Sequence, residues 1–65
     1  NALKETRTER GTTQERLASL TGLARQSIIS IERGRFLPTI ETALRLAEAL
    51  DVPVEKLFWL QGRKP

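Results

Sequence analysis

The stretch from Thr13 to Gly34, TQERLASLTGLARQSIISIERG, constrains this chain more than any other part of it. It holds two short amphipathic segments joined at Gly22, which supplies the permissive backbone a tight turn needs. The first segment is expected to bury Leu17, Ala18 and Leu20. The second repeats isoleucine at Ile28 and Ile31, a spacing that puts both on one helical face. The opposite face carries Gln26, Ile29, Ser30 and Arg33, with Arg25 at its leading end. A helix that turns Arg, Gln and Ser outward, propped on a short partner helix, can enter the major groove of DNA.

Length and composition narrow the alternatives. With 65 residues there is room for one domain, spanning 1–65, and one small core. A hydrophobic share of 38% beside 29% charged residues argues against disorder. The chain has no cysteine, so disulfides and thiolate metal sites are excluded. It has no histidine, which removes the commonest general base and metal ligand. No cofactor, metal or small-molecule substrate is therefore expected. No apolar run approaches the roughly 20 residues that span a bilayer, so no membrane partner is expected. No secretory signal is visible, and a cytoplasmic location, on the nucleoid, is expected. The chain starts at Asn1 and not at Met, which leaves room for residues upstream.

The net charge is +3, and its placement matters more than its size. Up to residue 35, Lys4, Arg7, Arg10, Arg16, Arg25, Arg33 and Arg35 stand against Glu5, Glu9, Glu15 and Glu32. Beyond it, Arg45, Lys56, Arg63 and Lys64 balance Glu41, Glu48, Asp51 and Glu55. A basic half beside a neutral half suits a polyanion on one side and a protein on the other.

Local signals predict five helices and no strand. The first runs about Ala2 to Arg10 and stops at Gly11. The second has Thr13 as N-cap and reaches about Leu20. The third runs about Arg25 to Arg33, where Gly34 ends it. Pro38 biases Leu37 away from helix, and Thr39 caps the fourth helix, with Glu41 in its first turn. There Ile40, Ala43, Leu44, Ala47 and Leu50 form one apolar stripe, with Thr42, Arg45, Glu48 and Ala49 facing away. Asp51 ends it. The fifth runs about Pro53 to Trp59 with Leu57, Phe58 and Leu60 as core contacts, and Gly62 to Pro65 should fray.

Taken together, these pieces resemble the helix-turn-helix of the phage repressor and Cro family, the xenobiotic-response-element type. The matching residues are Thr13-Gln14, Leu17-Ala18, Gly22, Arg25-Gln26-Ser27-Ile28, Ile31-Glu32-Arg33-Gly34, Pro38 to Leu44, and Leu57-Phe58-Trp59-Leu60. Several spaced matches carry weight that a lone motif lacks. The resemblance implies an all-α, five-helix, lambda-repressor-like fold whose third helix reads double-stranded DNA.

Chemistry and resemblance then assign roles. Arg25 can grip guanine O6 and N7, and Gln26 adenine N6 and N7. The resemblance places base readers at both positions; otherwise they are solvated polar residues at a helix start. Ser30, one turn after Gln26, is expected to reach DNA, and Ser27, on the flank, a phosphate. Ile29 sits about 100° from Ile28, on the outward side. It either meets a thymine methyl, is partly buried against the second helix, or is a lone exposed apolar residue of the common kind. Gln14, at the first position of the second helix, is expected to hold a phosphate with nearby backbone N–H groups. The resemblance implies that it also steadies a residue of the third helix. Arg33 and Arg35 flank Gly34 as backbone-binding cations, Arg33 also complementing the helix dipole. The resemblance further implies a buried ion pair between Arg7 and Glu32. Phe58, Trp59 and Leu60 are expected to form a homodimer surface, with Phe58 inward and Trp59 outward.

Some positions depart from the family pattern. Thr6 and Thr12 stand where leucine is usual. Ala24 replaces the usual Ser or Thr cap of the third helix, at a cost of about 1 kcal/mol. Pro53 replaces a capping residue but suits a helix start. The expected core comprises Leu3, Leu17, Leu20, Leu23, Ile28, Ile31, Ile40, Leu44, Ala47, Leu50, Val54 and Leu57. The expected function is sequence-specific binding of double-stranded DNA by a dimer on a near-palindrome, to regulate transcription by repression. A protein-interaction module, antitoxin-like or a coregulator, is the alternative. An enzyme is the third option, poorly supported by a chain without His or Cys.

Overall fold

Five α-helices follow one another along residues 1–63, the residues that the computed structural model describes. They are α1 Leu3–Glu9, α2 Gln14–Thr21, α3 Arg25–Glu32, α4 Ile40–Leu50 and α5 Val54–Leu57. No strand occurs among the described residues. Of the expected frayed end, Lys64 and Pro65 lie outside the described residues, while Arg63 N donates to Leu60 O at 2.9 Å in a turn.

The helix ends follow local chemistry. Thr13 Oγ1 accepts from Arg16 N at 3.0 Å and Thr39 Oγ1 from Thr42 N at 3.2 Å. Each satisfies an N–H that the first turn leaves without a helical partner. Ala24 lends α3 no such bond. At the other end of α3, Gly34 takes φ 72°, Gly34 N donates to Ile31 O at 3.0 Å and Arg35 N to Ser30 O at 2.9 Å. This pair of bonds is the Schellman closure, which needs a left-handed residue. Asp51 performs the same task for α4 at φ 57°, a conformation that Asp tolerates better than most side chains.

The core is one cluster of Leu3, Leu17, Ala18, Ile28, Ile31, Leu46, Ala47, Leu50 and Leu57. Leu23, Ala49, Val52, Val54 and Phe58 pack against it, half-buried. α2 packs on both α3 and α4, α4 on α5, and α1 on α3. The chain start is tied down as well. Asn1 Oδ1 accepts from Leu3 N at 3.1 Å, and its amide donates to Ile31 O at 2.8 Å. Ala2 N donates to Leu57 O at 3.0 Å, so α1 is pinned to the ends of α3 and α5.

Three expected core residues are not in the core. Leu20 is 49% exposed, Ile40 81% and Leu44 53%. In α2 the buried stripe runs Leu17, Ala18, Thr21, with Gln14 half-buried at its start, and helical phase turns Leu20 about 100° off it. Thr21 takes the buried place because its hydroxyl donates to Leu17 O at 2.8 Å, leaving no unmet polar group. In α4 the buried centre is Leu46, Ala47 and Leu50, and Leu46 was absent from the expected core. Thr42 and Ala49, expected to face away, are half-buried. The apolar arc from Leu46 round to Leu44 spans about 160°, wider than one small core can cover. α5 also stops at Leu57, with Phe58 in extended conformation, and Leu60 is 73% exposed where a core contact was expected.

Candidate nucleic-acid interface

The site begins with α3 and what holds it. Ile28 and Ile31 are wholly buried, which fixes the rotation of the helix. That rotation leaves Gln26 and Arg33 exposed and Ile29 and Ser30 half-buried on the outward side, with Arg25 on the flank toward α2. Ser27 lies on the flank toward the loop before α4.

Arg7 ties this helix to the rest of the fold. Its Nε lies 2.6 Å from Glu32 Oε2 and its Nη2 3.3 Å from Oε1. Its Nη1 donates to Thr12 O at 2.9 Å, in the α1–α2 connection. Gln14 Nε2 donates to Glu32 Oε1 at 3.1 Å. Both carboxylate oxygens are therefore occupied, and the side chains of Arg7 and Glu32 are only 10% and 4% exposed. The pair has the bidentate, charge-assisted form that compensates best for burial. The ion pair implied by the resemblance is present, and the residue that Gln14 steadies is Glu32.

Three shallow grooves surround the outward face of α3. One of about 340 Å³ is lined by Arg7, Thr13, Gln14, Glu15 and Arg25. A second, of about 200 Å³, is lined by Lys4, Gln14, Arg25, Ile29, Glu32 and Arg33. A third, of about 290 Å³, is lined by Gln26, Ser27, Ser30, Arg35 and Phe36. The fold thus gathers Gln14, Arg25, Gln26, Ser27, Ile29, Ser30, Arg33 and Arg35 on one side of the molecule. Ile29 is half-buried in the second groove, partly covered rather than fully outward.

Two neighbours were missed by the sequence reading. Lys4 reaches this side from α1, one turn before Arg7. That register becomes legible only once the Arg7–Glu32 pair is in place. Phe36, half exposed, borders the third groove. Glu15 also stands at the edge, an acid that a polyanion must pass.

On another side lies an apolar groove of about 420 Å³, with Phe36, Leu37, Pro38, Ile40, Ala43, Phe58 and Trp59 among its walls. Phe58 leans on the core, half-buried, as expected. Trp59 is half-buried too, so it is less outward than expected. No helix among the described residues is long and apolar enough to cross a membrane.

A helix-turn-helix family model matches residues 3–57, which takes in all five helices. The chain belongs to this helix-turn-helix family. The restriction-modification controller protein C.AhdI of Aeromonas hydrophila superposes with a TM-score of 0.82 at 43% identity. That match covers 86% of this chain and 85% of the other. The HTH-type transcriptional regulator YgzD of Bacillus subtilis is 36% identical over 61 residues, 94% of this chain and 92% of that protein. Control protein C.SmaI of Serratia marcescens is 45% identical over 51 residues, 78% of this chain and 61% of that protein. Membership of the helix-turn-helix family fits the geometry already described: α2 and α3 joined at Gly22, with α3 exposed along one polar side.

Proposed function

We propose that this chain is a single-domain, sequence-specific binder of double-stranded DNA that regulates transcription, without a chemical step. The observation that carries this is the outward side of α3, held by a buried ion pair and bearing side chains able to read base edges. In this reading Arg25 and Gln26 read bases, and Ser30 assists them. Ile29 offers its free edge to a thymine methyl. Gln14, Ser27, Arg33 and Arg35 meet phosphates and set the register. The helix-turn-helix relatives named as transcriptional regulators support the same role.

The chain acts as a homodimer. One module this small reads only a few base pairs, and a two-fold dimer would read a near-palindrome with half-sites about 34–36 Å apart. The expected surface of Phe58, Trp59 and Leu60 is extended here by Leu37 and Ile40, exposed residues that line the same apolar groove as Phe58 and Trp59, and by Leu44, exposed one turn after Ile40. A dimer seated on an operator excludes other proteins from that stretch, so the regulation is read as repression. The place of action is the cytoplasm, on the nucleoid.

Selection of bound duplexes from a random pool tests this. The expected product is a two-fold motif with half-sites one helical turn apart. Failure to enrich any sequence, with binding indifferent to salt between 50 and 200 mM, would favour a protein-interaction module instead.

A further inference from the structure

The groove of about 200 Å³ on the α2 side of α3 brings Lys4, Arg25 and Arg33 round Ile29 and Glu32. Glu32 is the only acid on its wall, and Arg7 and Gln14 already occupy both of its carboxylate oxygens. The ion pairs among the described residues are Arg7–Glu32 and Glu41–Arg45, and the three cations of the groove belong to neither. Lys4 is exposed and lies in the first turn of α1, where the helix field does not favour a cation. Three positive charges therefore converge here, none of them held in an ion pair among the described residues.

We propose that this groove seats one phosphate of the DNA backbone, held by Lys4 from α1 and Arg33 from α3, while Arg25 passes over it to the bases. The inference rests on the DNA-binding reading above and adds to it a contact from α1. The phosphate carries no sequence information, so Lys4 contributes affinity and register but not base preference. Its distance along the chain from the α2–α3 motif hid it from the sequence. The Arg7–Glu32 pair brings it close, because Lys4 precedes Arg7 by one helical turn.

The test uses the full chain and a duplex recovered by selection, with a scrambled duplex beside it. Kd is measured for wild type, Lys4→Ala and Lys4→Arg between 50 and 200 mM salt. Removing one phosphate contact should lower the slope of log affinity against log salt by about one. The affinity gap between wild type and Lys4→Ala should then shrink about threefold across that range. Lys4→Ala should weaken both duplexes alike, and Lys4→Arg should restore the slope. An unchanged slope in Lys4→Ala, or an altered base preference, would overturn the proposal while leaving the DNA-binding reading standing. Absence of duplex binding by wild type would overturn both.

Discussion

Arg7 Nε stands 2.6 Å from Glu32 Oε2, joining two helices whose residues are 25 apart in the chain. The contact lies beneath the outward side of α3, so it sets where the proposed base-reading residues stand as well as how firmly α1 is held. Arg7→Ala would leave the Glu32 carboxylate buried with only Gln14 as partner. The expected loss is about 3–5 kcal/mol, a large share of the stability of a domain this small. Arg10→Ala, on an exposed side chain, should cost less than about 0.5 kcal/mol. Urea unfolding of the two variants checks this, and equal midpoints would show that the pair does not hold the fold.

Leu46 and Leu44 make an informative contrast. Leu46 is wholly buried, so Leu46→Ala should cost about 2–5 kcal/mol through lost burial and the cavity left behind. Leu44 is 53% exposed and Ile40 81%. At concentrations where the chain is monomeric, Leu44→Glu and Ile40→Glu should shift stability by less than about 0.5 kcal/mol. They should nevertheless abolish the proposed self-association. Sedimentation equilibrium reads this directly: wild type and Leu44→Glu sedimenting alike would place the dimer surface elsewhere or remove it.

Ala24 occupies the N-cap of α3 with φ −73° and ψ 148°, a backbone already suited to a capping side chain. Ala24→Ser should let the hydroxyl accept from the Ser27 N–H and stabilise the domain by about 1 kcal/mol. The check is a rise in Tm with unchanged affinity for DNA. A fall in Tm would mean that the new hydroxyl clashes or turns elsewhere.

Arg25 and Gln26 lie in the first turn of α3 and line different grooves, Arg25 toward α2 and Gln26 toward the loop before α4. Each alanine variant should cost about 1–3 kcal/mol of discrimination against a wrong base. The two should relax different positions of a selected motif, because the side chains leave the helix about 100° apart. Correctly folded variants that recover the wild-type motif unaltered would refute base reading by this pair.

Much of this molecule was legible from residues alone. Caps and terminators act within a few residues, so Thr13, Thr39, Gly22 and Gly34 marked helix boundaries almost where they fall. Ile28 and Ile31 set the phase of α3, and with it the polar side, because a short helix between two turns has little freedom to rotate. The candidate site residues on α2, α3 and the following loop share a side for the same reason. Two positions go the other way: Thr21 is buried in place of the more hydrophobic Leu20, and in α4 the helical period leaves open which edge of a wide apolar arc faces inward, Leu46 rather than Ile40 and Leu44. A threonine that bonds its own backbone is cheap to bury, and a wide apolar arc serves two surfaces at once.

What the chain settled unaided was its set of helices and the polar side of the third, since both follow from contacts between near neighbours. Only packing in three dimensions decided which edge of α4 faces inward and which stays uncovered, and that Lys4 stands beside Arg33. Those outcomes depend on the angles at which helices meet, and such angles come from side-chain volumes and one long-range ion pair rather than from any local pattern.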